Sequence, residues 1–203
     1  MRPSFGASIS TTPLARAFYG GDTVRVAREL LGKVLVRRLR SATMAGVIVE
    51  TEAYRGHDDP ASHAYRGPTR RNIVMFLEPG HAYVYFTYGM HYCLNVTTER
   101  LGKPGAVLIR AAQPMKGIKR MKKYRRTDRV VDLANGPAKL TQAFDITGAL
   151  DGHDLTAGRK LFIVENNEPQ SFEIKSTGRI GIVFGKEKPW RFYIKGNQFV
   201  SKR

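Results

Sequence analysis

In residues 33–54, KVLVRRLRSATMAGVIVETEAY, two short runs rich in Val and Ile (33–39 and 44–54) flank a polar step at 40–43. That is the pattern of two β-strands meeting through a turn, and they are expected to pair antiparallel. On the N-terminal side, Asp22 can cap a helix over residues 23–31 whose apolar positions Val24, Val26, Ala27, Leu30 and Leu31 follow the helical period, with Gly32 as its stop. Residues 1–12 are mostly Ser, Thr, Gly and Ala and read as a flexible tail without the apolar core of a secretory signal.

On the C-terminal side, residues 56–67 lack periodicity and carry Pro60 and Gly67, so a loop is expected there. Strands are expected at 82–87 and 92–98, joined by a tight turn of Tyr88, Gly89, Met90 and His91 in which Gly89 supplies any positive φ. A further strand at 106–112 should end at Pro114, and Asn135-Gly136-Pro137 opens a helix running to Phe144. Strands at 161–164, 179–183 and 191–195 complete the pattern. Strands dominate and do not alternate with helices. The expected fold class is therefore α+β: one domain over 13–203, a mostly antiparallel curved sheet with flanking helices and a protruding β-hairpin.

The chain has 203 residues, 42% hydrophobic and 25% charged, which is ordinary globular usage and excludes disorder as the basis of its composition. Charge is the anomaly: 34 Lys and Arg against 17 Asp and Glu leave +17, the balance of a polyanion binder. Eight of the basic residues (Lys116, Lys119, Arg120, Lys122, Lys123, Arg125, Arg126 and Arg129) fall within 115–129 against the single acid Asp128, as a solvated face or a phosphate-tracking surface. Cys93 is the only cysteine, so neither an internal disulfide nor a cysteine zinc site can form, and an intracellular, reducing compartment fits. No apolar run reaches the roughly 20 residues needed to span a bilayer.

Chemistry-bearing residues concentrate in the same strands. Glu50, Glu52 and Tyr54 alternate along one strand and so share a face. Either an arginine pairs with one carboxylate while the other is solvated, or one of the two is a general base whose pKa is set by burial and neighbours. Tyr83, Tyr85 and Thr87 share another face, and Tyr88 sits at a hairpin tip, where an aromatic can wedge into a base stack. A basic surface, flat aromatics beside a carboxylate and a tip aromatic are what an enzyme acting on one extruded DNA base requires.

The motifs VETEAY (49–54), HDDPASH (57–63), TRRN (69–72), PGHAYVYFTYGMHYCLNV (79–96), AVLIRA (106–111) and NGPAKLTQAF (135–144), in this order, resemble the alkyladenine (3-methyladenine) DNA glycosylase family over nearly the whole chain. The resemblance implies a metal-free, monofunctional enzyme with no cofactor, excising 3-methyladenine, 7-methylguanine, hypoxanthine or ethenoadenine from double-stranded DNA. It implies Glu52 as the base that activates water, with Glu50 supporting, and Tyr54 and Tyr85 sandwiching the flipped purine. By the same resemblance His63 contacts the base from its side, Asn95 disfavours normal guanine, and Tyr88 intercalates. Arg110 is matched to a position near the target phosphate and attacking water, Ile180 to one whose carbonyl helps hold that water, and Arg71 and Lys139 to phosphate-side positions. His91 stands where the family commonly has an aromatic residue. A single pocket needs no symmetric partner, so a monomer is expected, without a membrane and, in a bacterium, in the cytoplasm or nucleoid.

Two other classes use the same residues. A metal-dependent nuclease could gather Glu50, Glu52, Asp58, Asp59 and a nearby His around Mg²⁺, and a noncatalytic RNA- or ribosome-binding domain would explain the charge and aromatics without requiring Glu52. A lyase-type glycosylase needs an amine nucleophile, and no lysine occupies the motif core.

Overall fold

The computed structural model describes residues 10–168 and 171–201. Of the expected tail, residues 1–9 lie outside these. Strands β1 (Val34–Leu39) and β2 (Ala42–Arg55) pair antiparallel from Val34 opposite Val47 to Leu39 opposite Ala42, as the Val- and Ile-rich runs predict. β2 is the longest strand and the organiser of the sheet. Along one edge it pairs with β1 through its first half and, at Glu50–Glu52, with the strand Arg191–Ile194. Along the other edge it pairs with Gly105–Lys116 over most of its length.

The remaining strands are β3 (Ala82–Thr87), β4 (His91–Thr97), β5 (Gly105–Lys116), β6 (Leu161–Val164), β7 (Ile174–Thr177) and β8 (Arg191–Ile194). Their order is β3-β4-β5-β2-β1-β6, with β8 joined to β2 and β7 to β8, all antiparallel. The fold is α+β, a single domain built on a curved antiparallel sheet with few helices.

Two strand expectations are corrected. Residues 179–183 form a loop, and the strand beside β8 is β7, earlier in the chain. Gly181 takes φ +78°, Arg179 turns inward to Asp59, and the Ile180 amide donates to a side chain, so the segment has no ladder to join. β5 continues through Pro114 to Lys116, because the register shifts between Ala45 and Gly46, beside Pro114, where a residue without an N–H is tolerated.

Helix α1 (Arg16–Tyr19) has no counterpart in the sequence pattern, whereas α2 (Thr23–Glu29) does: Asp22 Oδ1 accepts from the amides of Val24 and Arg25 at 3.0 and 3.1 Å. α2 lays Val26 and Ala27 on the sheet, and Thr51 Oγ1 donates to its Ala27 carbonyl at 2.7 Å. α3 (Ile118–Arg125) carries much of the basic run, and α4 (Pro137–Ala143) starts on Pro137. The core packs α2, α4 and the sheet through residues such as Leu30, Ile48, Ile109 and Phe144. A smaller cluster of Ala64, Val74, Met75, Tyr83 and Ala106, with Tyr85 against it, seats the aromatic end of β3. Among the described residues no helix is long and apolar enough to cross a membrane.

Candidate active site

The alternation of Glu50, Glu52 and Tyr54 becomes a layered polar site. Opposite them, the β2–β5 register breaks: Ile48 faces Ala112, Glu50 faces Ala111 and Thr51 faces Ile109, which frees Arg110 to reach both carboxylates. Its Nε donates to Glu50 Oε1 and its Nη1 to Glu52 Oε2, each at 3.2 Å. Glu50 is otherwise occupied, accepting from Arg191 Nε at 2.7 Å and from the Ser201 amide and hydroxyl at 2.7 and 2.9 Å. It is a structural anchor.

Glu52 has a different set of partners. The Ile180 amide donates to Oε1 at 2.7 Å and the Tyr54 hydroxyl to Oε2 at 2.8 Å. Both glutamates are fully buried. Burial pushes the Glu52 carboxyl above the usual carboxylate range; Arg110, the Ile180 amide and the Tyr54 hydroxyl pull it back, and Glu50 adds a further push upward.

Above this floor lies a cleft of about 390 Å³, within the range of small-molecule sites. Tyr54, Arg110 and Ile180 separate it from Glu52, and Tyr83, Tyr85, His63 and Asn95 form the wall toward β3 and β4. His63 Nδ1 lies 2.8 Å from the Tyr83 hydroxyl, and the ring stands edge-on to Tyr85, with centroids 4.6 Å apart. Partial burial and the nearby Arg71 hold the His63 imidazole below its ordinary pKa, so it is neutral at pH 7. Asn95 Nδ2 donates to the Tyr83 carbonyl at 3.1 Å, which fixes its amide against the wall. Burial raises the Tyr83 phenol to about 12 and keeps the tyrosines protonated.

At the rim, the hairpin turns through Tyr88, Gly89 and Met90. Tyr88 itself takes φ +52° beside Gly89 at +66°, so the left-handed conformation is not confined to the glycine. Tyr88 is 81% exposed. His91 is also exposed and pairs with Thr87 to close the turn.

Of the ten residues singled out from the sequence, Glu52, Tyr54, His63, Tyr85, Tyr88, Asn95, Arg110 and Ile180 come together at this cleft or its floor. Ile180 does so through its amide. Arg71 lies 5.0 Å from the Tyr85 ring centroid and donates to the Phe86 carbonyl, at the edge of the site. Lys139 is not in the lining; it lies in the first turn of α4 and donates to Asn135 Oδ1 at 2.8 Å, while Pro137 beside it reaches the cleft.

Sequence reasoning missed the Arg179–Asp59 pair. Both side chains are fully buried, bonded at 2.5 and 2.7 Å, and Arg179 also donates to the Ala53 carbonyl and lies 4.7 Å from the Tyr54 ring centroid. The pair backs Tyr54 and anchors the segment that delivers the Ile180 amide. Asp59 lies within HDDPASH, but no local signal links it to an arginine 120 residues later.

The carboxylates that a metal nuclease would share are each committed to arginines: Glu50 and Glu52 to Arg110, Asp59 to Arg179 and Asp58 to Arg55. Among the described residues, no three His, Cys, Asp or Glu side chains converge as a metal site.

A curved antiparallel sheet with a buried carboxylate beneath an aromatic cleft, in a strongly basic chain, has the form of a nucleic-acid enzyme that works on single bases. The chain belongs to the methylpurine-DNA glycosylase (MPG) family, whose sequence profile matches residues 17–198. It is 53% identical over 190 residues to a protein of Carboxydothermus hydrogenoformans, covering 94% of this chain and 99% of the relative. It is 48% identical over 194 residues to one of Methanocella arvoryzae, covering 94% and 96%. Both relatives are provisionally named 3-methyladenine DNA glycosylases. Membership makes this chain a DNA glycosylase, a hydrolase of N-glycosyl bonds in DNA.

Proposed function

We propose that the protein removes damaged purines, among them 3-methyladenine, 7-methylguanine, hypoxanthine and ethenoadenine, from duplex DNA by extruding the nucleotide and hydrolysing its N-glycosidic bond. One observation carries this reading: Glu52 is a desolvated carboxylate held by the Ile180 amide, the Tyr54 hydroxyl and Arg110 directly beneath an aromatic cleft. Burial strengthens it as a base, while its three donors pull its pKa back toward the ordinary range. Water attacks the anomeric carbon as the bond to the purine breaks, Glu52 takes the water's proton, and the bonding electrons leave with the base. The carboxylate also stabilises the oxocarbenium charge that develops on the sugar. Glu52 is fully covered in the free protein, with the Tyr54 hydroxyl and the Ile180 amide bonded directly to it.

Tyr54 and Tyr85 serve as the stacking faces, to which electron-poor alkylated purines are attracted. His63 borders the base, Asn95 crowds the 2-amino group of guanine, and Tyr88 fills the gap left in the duplex. Arg71 and Lys139 serve the phosphates. No lysine lines the cleft among the described residues, which supports hydrolysis without strand cleavage. A metal-independent, intracellular monomer completes the reading.

The test is base release from duplexes carrying one hypoxanthine or ethenoadenine, in EDTA with alkali afterwards, comparing the protein with Glu52→Gln. Release by the unaltered protein that the variant loses supports the reading. Retention of both lesions, and of 3-methyladenine in methylated DNA, would sink it.

A further inference from the structure

The hairpin tip is not the only apolar projection at the cleft mouth. Val183 and Phe184 are 74% and 66% exposed and, unlike the equally exposed Leu101, both line the same cleft as Tyr88. Sheet order sets them on the other side. Tyr88 projects from the β3–β4 edge, whereas residues 181–185 lead from β7 toward β8, beyond β2.

The base of this loop is rigid and its tip is narrow. Ile180 is tied to Glu52 through its amide, and Arg179, locked to Asp59, also donates to the Gly185 carbonyl at 3.4 Å. Gly181 and Gly185 take φ +78° and +68°, turning the chain sharply at both ends of the apolar pair. A fixed base carrying an exposed Phe beside a cleft for an extruded base has the form of a side chain that enters a base stack.

We propose that residues 181–185 are a second wedge, with Phe184 as its point, which packs against a base flanking the extruded nucleotide while Tyr88 enters from the opposite lip. The inference rests on the base-extruding reading above. Its occupant is the stacked interior of duplex DNA, a polyanion that the net positive charge of the chain attracts.

The test uses duplexes containing a stable abasic analogue with 2-aminopurine as one or other neighbour, so that unstacking of the neighbour is read as a fluorescence rise without any catalysis. Addition of the protein should raise fluorescence at one flank. Phe184→Ala should lose at least half of the rise and weaken binding by about fivefold or more, the scale of a single aromatic–base stack. Phe184→Leu, which keeps an apolar point, should retain most of both.

The proposal is overturned if the unaltered protein unstacks neither neighbour, if Phe184→Ala matches it in fluorescence and affinity, or if affinity falls while the rise is unchanged. Base release from lesion duplexes, measured in parallel, separates the two readings. Excision with no effect of Phe184 removes the wedge alone. A Phe184-dependent rise without excision removes the proposed chemistry and leaves the wedge.

Discussion

Glu52 and Glu50 are two residues apart on one strand, yet their surroundings give them different roles. Glu50 accepts from two arginines and from Ser201, whereas Glu52 meets one arginine, one amide and one phenol. Glu52→Gln is expected to lower single-turnover excision by about 10²- to 10⁴-fold, the usual worth of a general base. The base must be ionised to act, and its pKa lies above the ordinary glutamate range, so activity should fall as pH drops through that raised value. Tyr54→Phe removes a hydrogen bond that favours the charged form, so the acid limb of the kcat/KM profile should move to higher pH. An unmoved limb would show that the phenol does not support the carboxylate. Asn95→Ser should relax discrimination between hypoxanthine and guanine, read as the ratio of their release rates.

Two loops present the site, and each is held differently. The hairpin turn places Tyr88 in the left-handed region, which costs an L-residue about 1–2 kcal/mol. Tyr88→Gly relieves this strain and adds backbone entropy to the unfolded chain, so the melting temperature should change little while affinity for lesion duplexes falls. A large loss of thermal stability would instead make Tyr88 a structural residue. Residues 180–185 depend on the buried Arg179–Asp59 pair. Arg179→Met leaves Asp59 buried without its partner and should cost about 3–5 kcal/mol in urea denaturation.

At the scale of the molecule, net charge governs the encounter with DNA. The excess of +17, with Lys119, Lys122 and Lys123 on or around α3, predicts affinity that falls steeply with salt; a footprint of about 6–10 phosphates would lose about 10³- to 10⁵-fold between 50 and 200 mM. Replacing these three lysines with alanine should lower the slope of log K against log salt by about 0.9 for each phosphate that α3 no longer neutralises, with excision at saturating protein preserved. An unchanged slope would make α3 a solvated face only.

Local periodicity was enough for much of this architecture. Val- and Ile-rich runs announced β1 and β2, Asp22 announced α2, and alternation alone set Glu50, Glu52 and Tyr54 on one face, because strand geometry fixes side-chain direction every second residue. The ordered motifs announced the family. The sequence could not disclose the state of those groups. Tertiary structure brought Arg110 between the two glutamates through a register break, spanned 120 residues to join Asp59 to Arg179, and turned the strand-like 179–183 into a loop whose amide serves Glu52. Strand propensity in that segment lost to a buried ion pair and a positive φ at Gly181, neither of which leaves a local pattern. The identity of the candidate base was therefore within reach of the sequence, whereas its burial and its donors Arg110 and Ile180 were decided by long-range tertiary contacts.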